Sequence, residues 1–140
     1  MEYRRFGNTV VLRLNKGDEI TESIMKTAKE ENIRLASVSG IGGTDNFTVG
    51  VFDTEKQAYD RFHCTGTHEI TSLAGNITTM NGEIYTHLHM NCAGNDGKIV
   101  GGHLLECIIS LTAEIFIQIA DGAADRKRDD SLGINLINFD

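Results

Sequence analysis

The segment 107–120, CIISLTAEIFIQIA, is β-branched and almost wholly apolar. That is the profile of a strand at the centre of a sheet with both faces covered, and it commits the chain to a β-rich architecture. The remainder supplies neighbours for it. Residues 9–14 (TVVLRL), 34–41 (RLASVSGI), 46–52 (NFTVGVF), 59–65 (YDRFHCT) and 68–79 (HEITSLAGNITT) have strand character, as do 83–92, KIVGGHLL and 134–139. Proline is absent and glycine occurs fifteen times, so glycine must supply the sharp turns. Ser39-Gly40-Ile41-Gly42-Gly43 reads as a tight turn and Gly66 as a break between strands. Asn81-Gly82 between β-prone flanks is a hairpin signal, and Gly94-Asn95-Asp96-Gly97 is a second turn. From Glu19 to Asn32, Ile20, Ile24, Met25 and Ala28 recur at helical spacing, with Glu22, Lys26, Lys29 and Glu30 opposite and Asp18 placed as N-cap. One helix among about eight strands predicts an α+β fold, a curved and mostly antiparallel sheet with the helix packed on it. At 140 residues the chain is expected to form a single domain, 1–140.

Charge narrows the partners. Thirteen Lys and Arg against twenty Asp and Glu give a net charge of −7, whereas nucleic-acid binding draws on a basic footprint. The one dense basic cluster, Arg126-Lys127-Arg128, is hemmed in by Asp125, Asp129 and Asp130 and reads as a solvated loop. DNA binding is disfavoured, though oligomerisation would bring Arg4, Arg5 and Arg61 of several chains together. No apolar run reaches the ~18 residues of a membrane span, and the start MEYRRFGNTV lacks the apolar core of a signal peptide, so the expected location is the cytoplasm. Cys64, Cys92 and Cys107 form neither an even set nor a CxxC, which argues against a disulfide framework.

The chemistry-bearing residues are histidines. In a strand, His87 and His89 of THLHM share one face with Tyr85 and Asn91, while Ile84, Leu88, Met90 and Cys92 face the core. The turn at 94–97 returns the chain antiparallel and places residues near 99–103 opposite 88–92, so His103 comes within reach. Three imidazoles from two adjoining strands suit Zn²⁺ and leave a coordination position for a small-molecule ligand. The competing reading is a polar strand face whose imidazoles bond to neighbours or solvent. Gly101-Gly102 before His103 marks either a β-bulge or a close approach by a metal, substrate or subunit. If the site is hydrolytic or lyase-like, Glu106 and Glu114 are the nearby acid/base candidates, and both are also plausible as ordinary strand carboxylates. His63 and His68 stand apart as surface or interface residues. No nucleotide-binding turn is expected at Ser39–Gly43, because the spacing is not GxGxxG and a strand follows where a helix is required.

Together SGIGG, LAGNI, HLHM, VGGHLLEC and TAEI resemble the plants-and-prokaryotes conserved domain (PPC or PCC) over nearly the whole chain, most specifically in the ordered pair HLH at 87–89 and GGHL at 101–104. The resemblance implies an α+β domain assembled as a compact homotrimer, with the histidines associated with metal in bacterial relatives. It also implies a DNA-binding label that comes from plant members with an AT-hook beside the domain. No such hook exists here, since its core needs proline. The plant partner-binding segment Gly-Arg-Phe-Glu-Ile-Leu corresponds to Gly66-Thr67-His68-Glu69-Ile70-Thr71, which keeps only Gly, Glu and Ile. Independently, the apolar run at 107–120 suggests more surface than one helix can cover, which fits a trimer.

Overall fold

A computed structural model describes residues 1–139. In chain order the elements are β1 (Glu2–Phe6), β2 (Thr9–Asn15), α1 (Ile20–Glu30), β3 (Ala36–Asp53), β4 (Ala58–Met80), β5 (Glu83–Gly94), β6 (Ile99–Ile119), β7 (Asp125–Asp129) and β8 (Ile134–Asn138). The sheet order is β1-β2-β6-β3-β4-β7-β8, and β5 joins β4 to β6. Because β3 also pairs with both β4 and β6, the pairings β3-β4-β5-β6 close into a circuit, so the sheet curls upon itself. All these pairings are antiparallel except the single parallel bridge of β4 to β7, Thr79 to Asp125. The expected α+β fold is present, with strands longer than the sequence suggests.

The helix forms where its apolar face predicts. Ile20, Ile24 and Ala28 are fully buried, and Thr27 Oγ1 donates back to the Ser23 carbonyl at 2.9 Å. Its cap is Glu19, not Asp18: the Glu19 carboxylate accepts from the Glu22 N–H at 2.7 Å and from the Cys107 N–H at 3.1 Å. Asp18 instead closes the preceding turn, accepting from the Asn15 N–H and pairing with the N-terminal amine at 2.7 Å. The longer Glu side chain ties the helix start to β6 as well as capping it. Opposite the helix, Leu12, Phe47, Ile77 and Ile117 are completely shielded, so the core lies between α1 and the inner face of the curled sheet.

Several breaks read from glycine are absent. Gly40–Gly43 lie inside β3, where the register shifts at Gly40/Gly42 and on past Thr44, so they bend a continuous strand. Gly42 is required by close approach: a Cβ there would lie 2.6 Å from the Thr112 carbonyl oxygen and 2.7 Å from Ala113. Likewise Gly66, at φ +88°, bends β4 without ending it, and the separate strands read at 98–105 and 107–120 are one strand, β6. β6 is central in the sheet, between β2 and β3 over its second half, but its apolar residues divide. Cys107, Ile109, Ala113, Ile115 and Ile117 are buried, whereas Phe116 on the alternate face is 47% exposed and Leu111, where the β3–β6 register shifts between Ile109 and Ala113, is 70% exposed. Burial on both faces is therefore contradicted within one chain. Two elements were missing from the reading, β1 and β7. The latter converts the expected solvated loop at 126–128 into a strand paired with β8, from which Arg126 points inward and is only 7% exposed.

Candidate metal centre

The site starts from strand alternation. Leu88 and Met90 of β5 are drawn into the core, which turns His87 and His89 to the other face. The β5–β6 register then sets His103 directly opposite His89, with Cys92 opposite Val100, as the turn at 94–97 predicts. One ligand nitrogen from each of His87, His89 and His103 lies within 4.8 Å of the others. His87 Nε2 and His89 Nε2 are 3.2 Å apart. Two nitrogens bound at about 2.0–2.1 Å to one tetrahedral Zn²⁺ stand about 3.3–3.4 Å apart, so this pair is already spaced as ligands.

The third imidazole is held by packing. His103 stacks on Tyr59 at 4.8 Å between centroids and 24° between planes, and Phe52 meets Tyr59 edge-on at 5.2 Å. Its Nδ1 is buried and lacks a hydrogen-bond partner among the described residues, an orphan that ligation of a cation through this atom would satisfy. Burial, reinforced by the two neighbouring imidazoles, brings the His103 pKa down to about 4. Burial, then His89 and Arg126, also lowers that of His87. Both rings are therefore neutral near pH 7, the state in which imidazole offers a lone pair to a metal. The donor set fits a borderline divalent ion such as Zn²⁺.

The trio opens onto a cleft of about 800 Å³ shared with Tyr59, Tyr85, Asn76 and Arg126. Tyr85 takes the place expected for it, whereas Asn91 donates to Ser72 Oγ at 3.0 Å away from the cleft. Gly101-Gly102 mark close approach of protein backbone: a Cβ on Gly102 would lie 2.6 Å from the Gly50 carbonyl oxygen, and one on Gly101 2.8 Å from that of Met90. The nearest register shift in β6 lies further on, between Leu104 and Glu106. Glu106 and Glu114 are exposed and do not line the histidine cleft; Glu114 borders a separate groove with Ile41 and Leu111. His63 bonds to Thr48 Oγ1 at 3.1 Å and His68 to the Gly66 carbonyl at 2.7 Å, both outside the trio. Cys92 and Cys107 are buried with pKa values pushed up to about 12 and about 11, too high for thiolate chemistry near neutrality.

Sequence reasoning missed Tyr59 and Arg126. The Arg126 guanidinium donates from Nε to Thr78 Oγ1 at 2.8 Å, from one Nη to the Asn135 carbonyl at 2.9 Å and from the other to Asn76 Oδ1 at 2.9 Å, and its Cζ lies 4.7 Å above the Tyr85 ring. Nothing in DRKRD carries an apolar alternation that would single Arg126 out from its neighbours.

Residues 1–121 match the model of the Plants and Prokaryotes Conserved (PCC) domain. The chain belongs to this family. All three histidines lie within the matched residues. Among solved structures, a PPC protein of Pyrococcus horikoshii is 31% identical with a TM-score of 0.87, the match covering 98% of this chain and 93% of that one. A candidate DNA-binding protein from Bacteroides thetaiotaomicron is 30% identical with a TM-score of 0.95, over 99% and 96% of the two chains. A metal-containing protein from Archaeoglobus fulgidus is 28% identical with a TM-score of 0.86, over 98% and 96%. No curated protein matches the chain. No helix among the described residues is long and apolar enough to cross a membrane.

Proposed function

We propose that this PCC-domain protein is a cytoplasmic homotrimer that holds one divalent ion per chain, Zn²⁺, through His87, His89 and His103. The convergence of three ligand nitrogens within 4.8 Å carries this reading, and a metal-containing relative of the same fold supports it. Self-association is favoured by an uncovered apolar strip on the outer face of β3 and β6, where Ile41 is 58%, Leu111 70% and Phe116 47% exposed. Metal analysis of the native protein should find close to one zinc per chain, and light scattering should give the mass of three 15.4 kDa chains. Metal-free protein that stays folded and takes up no zinc would remove the reading.

The name of the Bacteroides relative favours a second reading, binding of duplex DNA. The surface opposes it. Arg5, Arg13, Lys29 and Lys56 are engaged by Glu31, Glu2, Glu83 and the pair Asp53 and Asp60, Arg126 is buried, and the net charge is −7. The expected outcome of a low-salt gel shift at micromolar protein is no retardation of duplex DNA. A complex that weakens steeply with added salt would instead favour the DNA reading.

A further inference from the structure

The cleft in front of the histidines differs in charge from the rest of the protein. The chain carries twenty Asp and Glu, yet among the described residues no carboxylate lines the cleft, which has two arginines and the three imidazoles. Arg128 at its rim reaches Asp130 at 3.6 Å. Arg126, in contrast, is 7% exposed and among the described residues bonds only to uncharged acceptors, the Thr78 hydroxyl, the Asn76 amide oxygen and the Asn135 carbonyl. Desolvating a guanidinium without a counter-charge is costly, and evolution ordinarily places a carboxylate against it. Its three hydrogen bonds do not supply that charge, but they fix the plane of the group. They also leave two of its five N–H donors unused among the described residues.

We propose that this cleft is a receptor for a small organic carboxylate, gripped by Arg126 beside the three histidines. The proposal rests on the metal reading for what lies at the other end of the ligand. A divalent ion without acidic ligands would add positive charge to a cleft that has no negative group among the described residues. A planar carboxylate matches the two remaining N–H groups of one fixed guanidinium. The walls call for a carbon skeleton: Phe52, Tyr59, Ile134 and Leu136 border the cleft, whose volume of about 800 Å³ suits a small molecule. Proximity to the metal centre follows from register, because Asn76, which accepts from Arg126, is the β4 partner of His87. The division along the chain is also informative. The histidines lie inside the family-matched residues 1–121, whereas Arg126 and the Ile134–Leu136 wall come from the β7–β8 hairpin that follows. The domain holds the ion and the hairpin selects the ligand.

Calorimetric titration of zinc-loaded protein with benzoate and with pyruvate tests this, using benzyl alcohol and inorganic phosphate as comparisons and measuring metal content on every sample. At least one of the two carboxylates should bind with a millimolar or tighter constant, and benzyl alcohol and phosphate should be at least tenfold weaker. Arg126→Gln and Arg126→Lys should each lose at least tenfold for the carboxylate while retaining metal. The lysine variant keeps the charge but not the fork. If neither variant folds, NMR of the wild type decides: carboxylate-induced shifts should centre on Tyr85, His87 and Ile134. The proposal is overturned if neither carboxylate binds at tens of millimolar, if benzyl alcohol binds equally well, if affinity survives at Arg126 variants, or if the shifts lie outside the cleft. Carboxylate binding by protein that takes up no metal would leave this proposal standing and remove the metal reading; zinc-loaded protein indifferent to carboxylates would do the reverse.

Discussion

The double substitution His87→Ala/His89→Ala is expected to reduce bound zinc from close to one ion per chain to background while leaving the fold intact. His89 is exposed and His87 only half-buried, so trimming them opens no cavity in the core formed by Leu88 and Met90 on the other side of β5. What is lost is the pair of nitrogens 3.2 Å apart that supplies two of the three candidate ligands. Affinity should fall by more than the roughly 10–100-fold typical of losing a group that merely orients a ligand. Metal content by mass spectrometry together with circular dichroism checks both halves of the expectation. Protons probe the same site without mutation. In the metal-free protein the folded-state pKa of His103, about 4, lies below its ordinary 6.5, and that of His87 is also lowered. The folded state thus binds fewer protons than the unfolded chain between these values. The associated stability is fully present above pH 6.5 and is lost as pH falls towards 4. Denaturant midpoints of the metal-free wild type should decline over that window, with a shallower decline in His103→Ala.

A second large effect is expected from Gly75→Ala, a change of one methyl group. Gly75 lies in β4 opposite Leu88, where its missing side chain lets β5 approach. An added Cβ would overlap the His87 carbonyl oxygen and lie 2.9 Å from the Leu88 Cα. These are backbone atoms held in the β4–β5 ladder, so no side chain can swing away to make room. Relief requires the two strands to separate at the point from which His87 projects. Overpacking of this kind costs about 3 kcal/mol, which for a domain of this size lowers the melting temperature by roughly 10 °C. The same displacement moves His87 relative to His103, so zinc retention should drop along with stability. A variant that melts within about 2 °C of wild type with full zinc occupancy would show that β5 has slack there.

The trio of histidines was legible because it rests on two local rules, period-two alternation and the return of a chain through a short Gly-Asn-Asp-Gly turn. Both act over a few residues, and the β5–β6 register obeys them at His89 and His103. The helix was legible for the same reason, from Ile20, Ile24 and Ala28 on one stripe. What failed depends on distant partners. Gly42 was read as part of a tight turn and Gly75 only as a position in a strand, but both are there because another strand's backbone passes within contact, which only the closed β3-β4-β5-β6 circuit reveals. At Gly102 close approach was one of the two expected readings, and what approaches is the Gly50 backbone. The cap fell to Glu19 over Asp18 because Glu19 also reaches the Cys107 N–H, eighty-eight residues away. Arg126 resembled its solvated neighbours in sequence; its burial is decided by Thr78, Asn76 and Asn135, none of them adjacent. The exposed Leu111 and Phe116 show the converse, an apolar run whose second face one chain leaves uncovered. Family membership then supplied what periodicity does not, a link from the fold to a metal-containing relative.

The central claim is that His87, His89 and His103 ligate a common ion. Its most direct test is diffraction from crystals of the native protein recorded on both sides of the zinc absorption edge. The account predicts one strong anomalous peak per chain, with the three imidazole nitrogens at about 2.0–2.1 Å from it. Well-ordered rings turned away from one another, or bonded only to protein and water with no anomalous scatterer between them after growth in zinc, would contradict it.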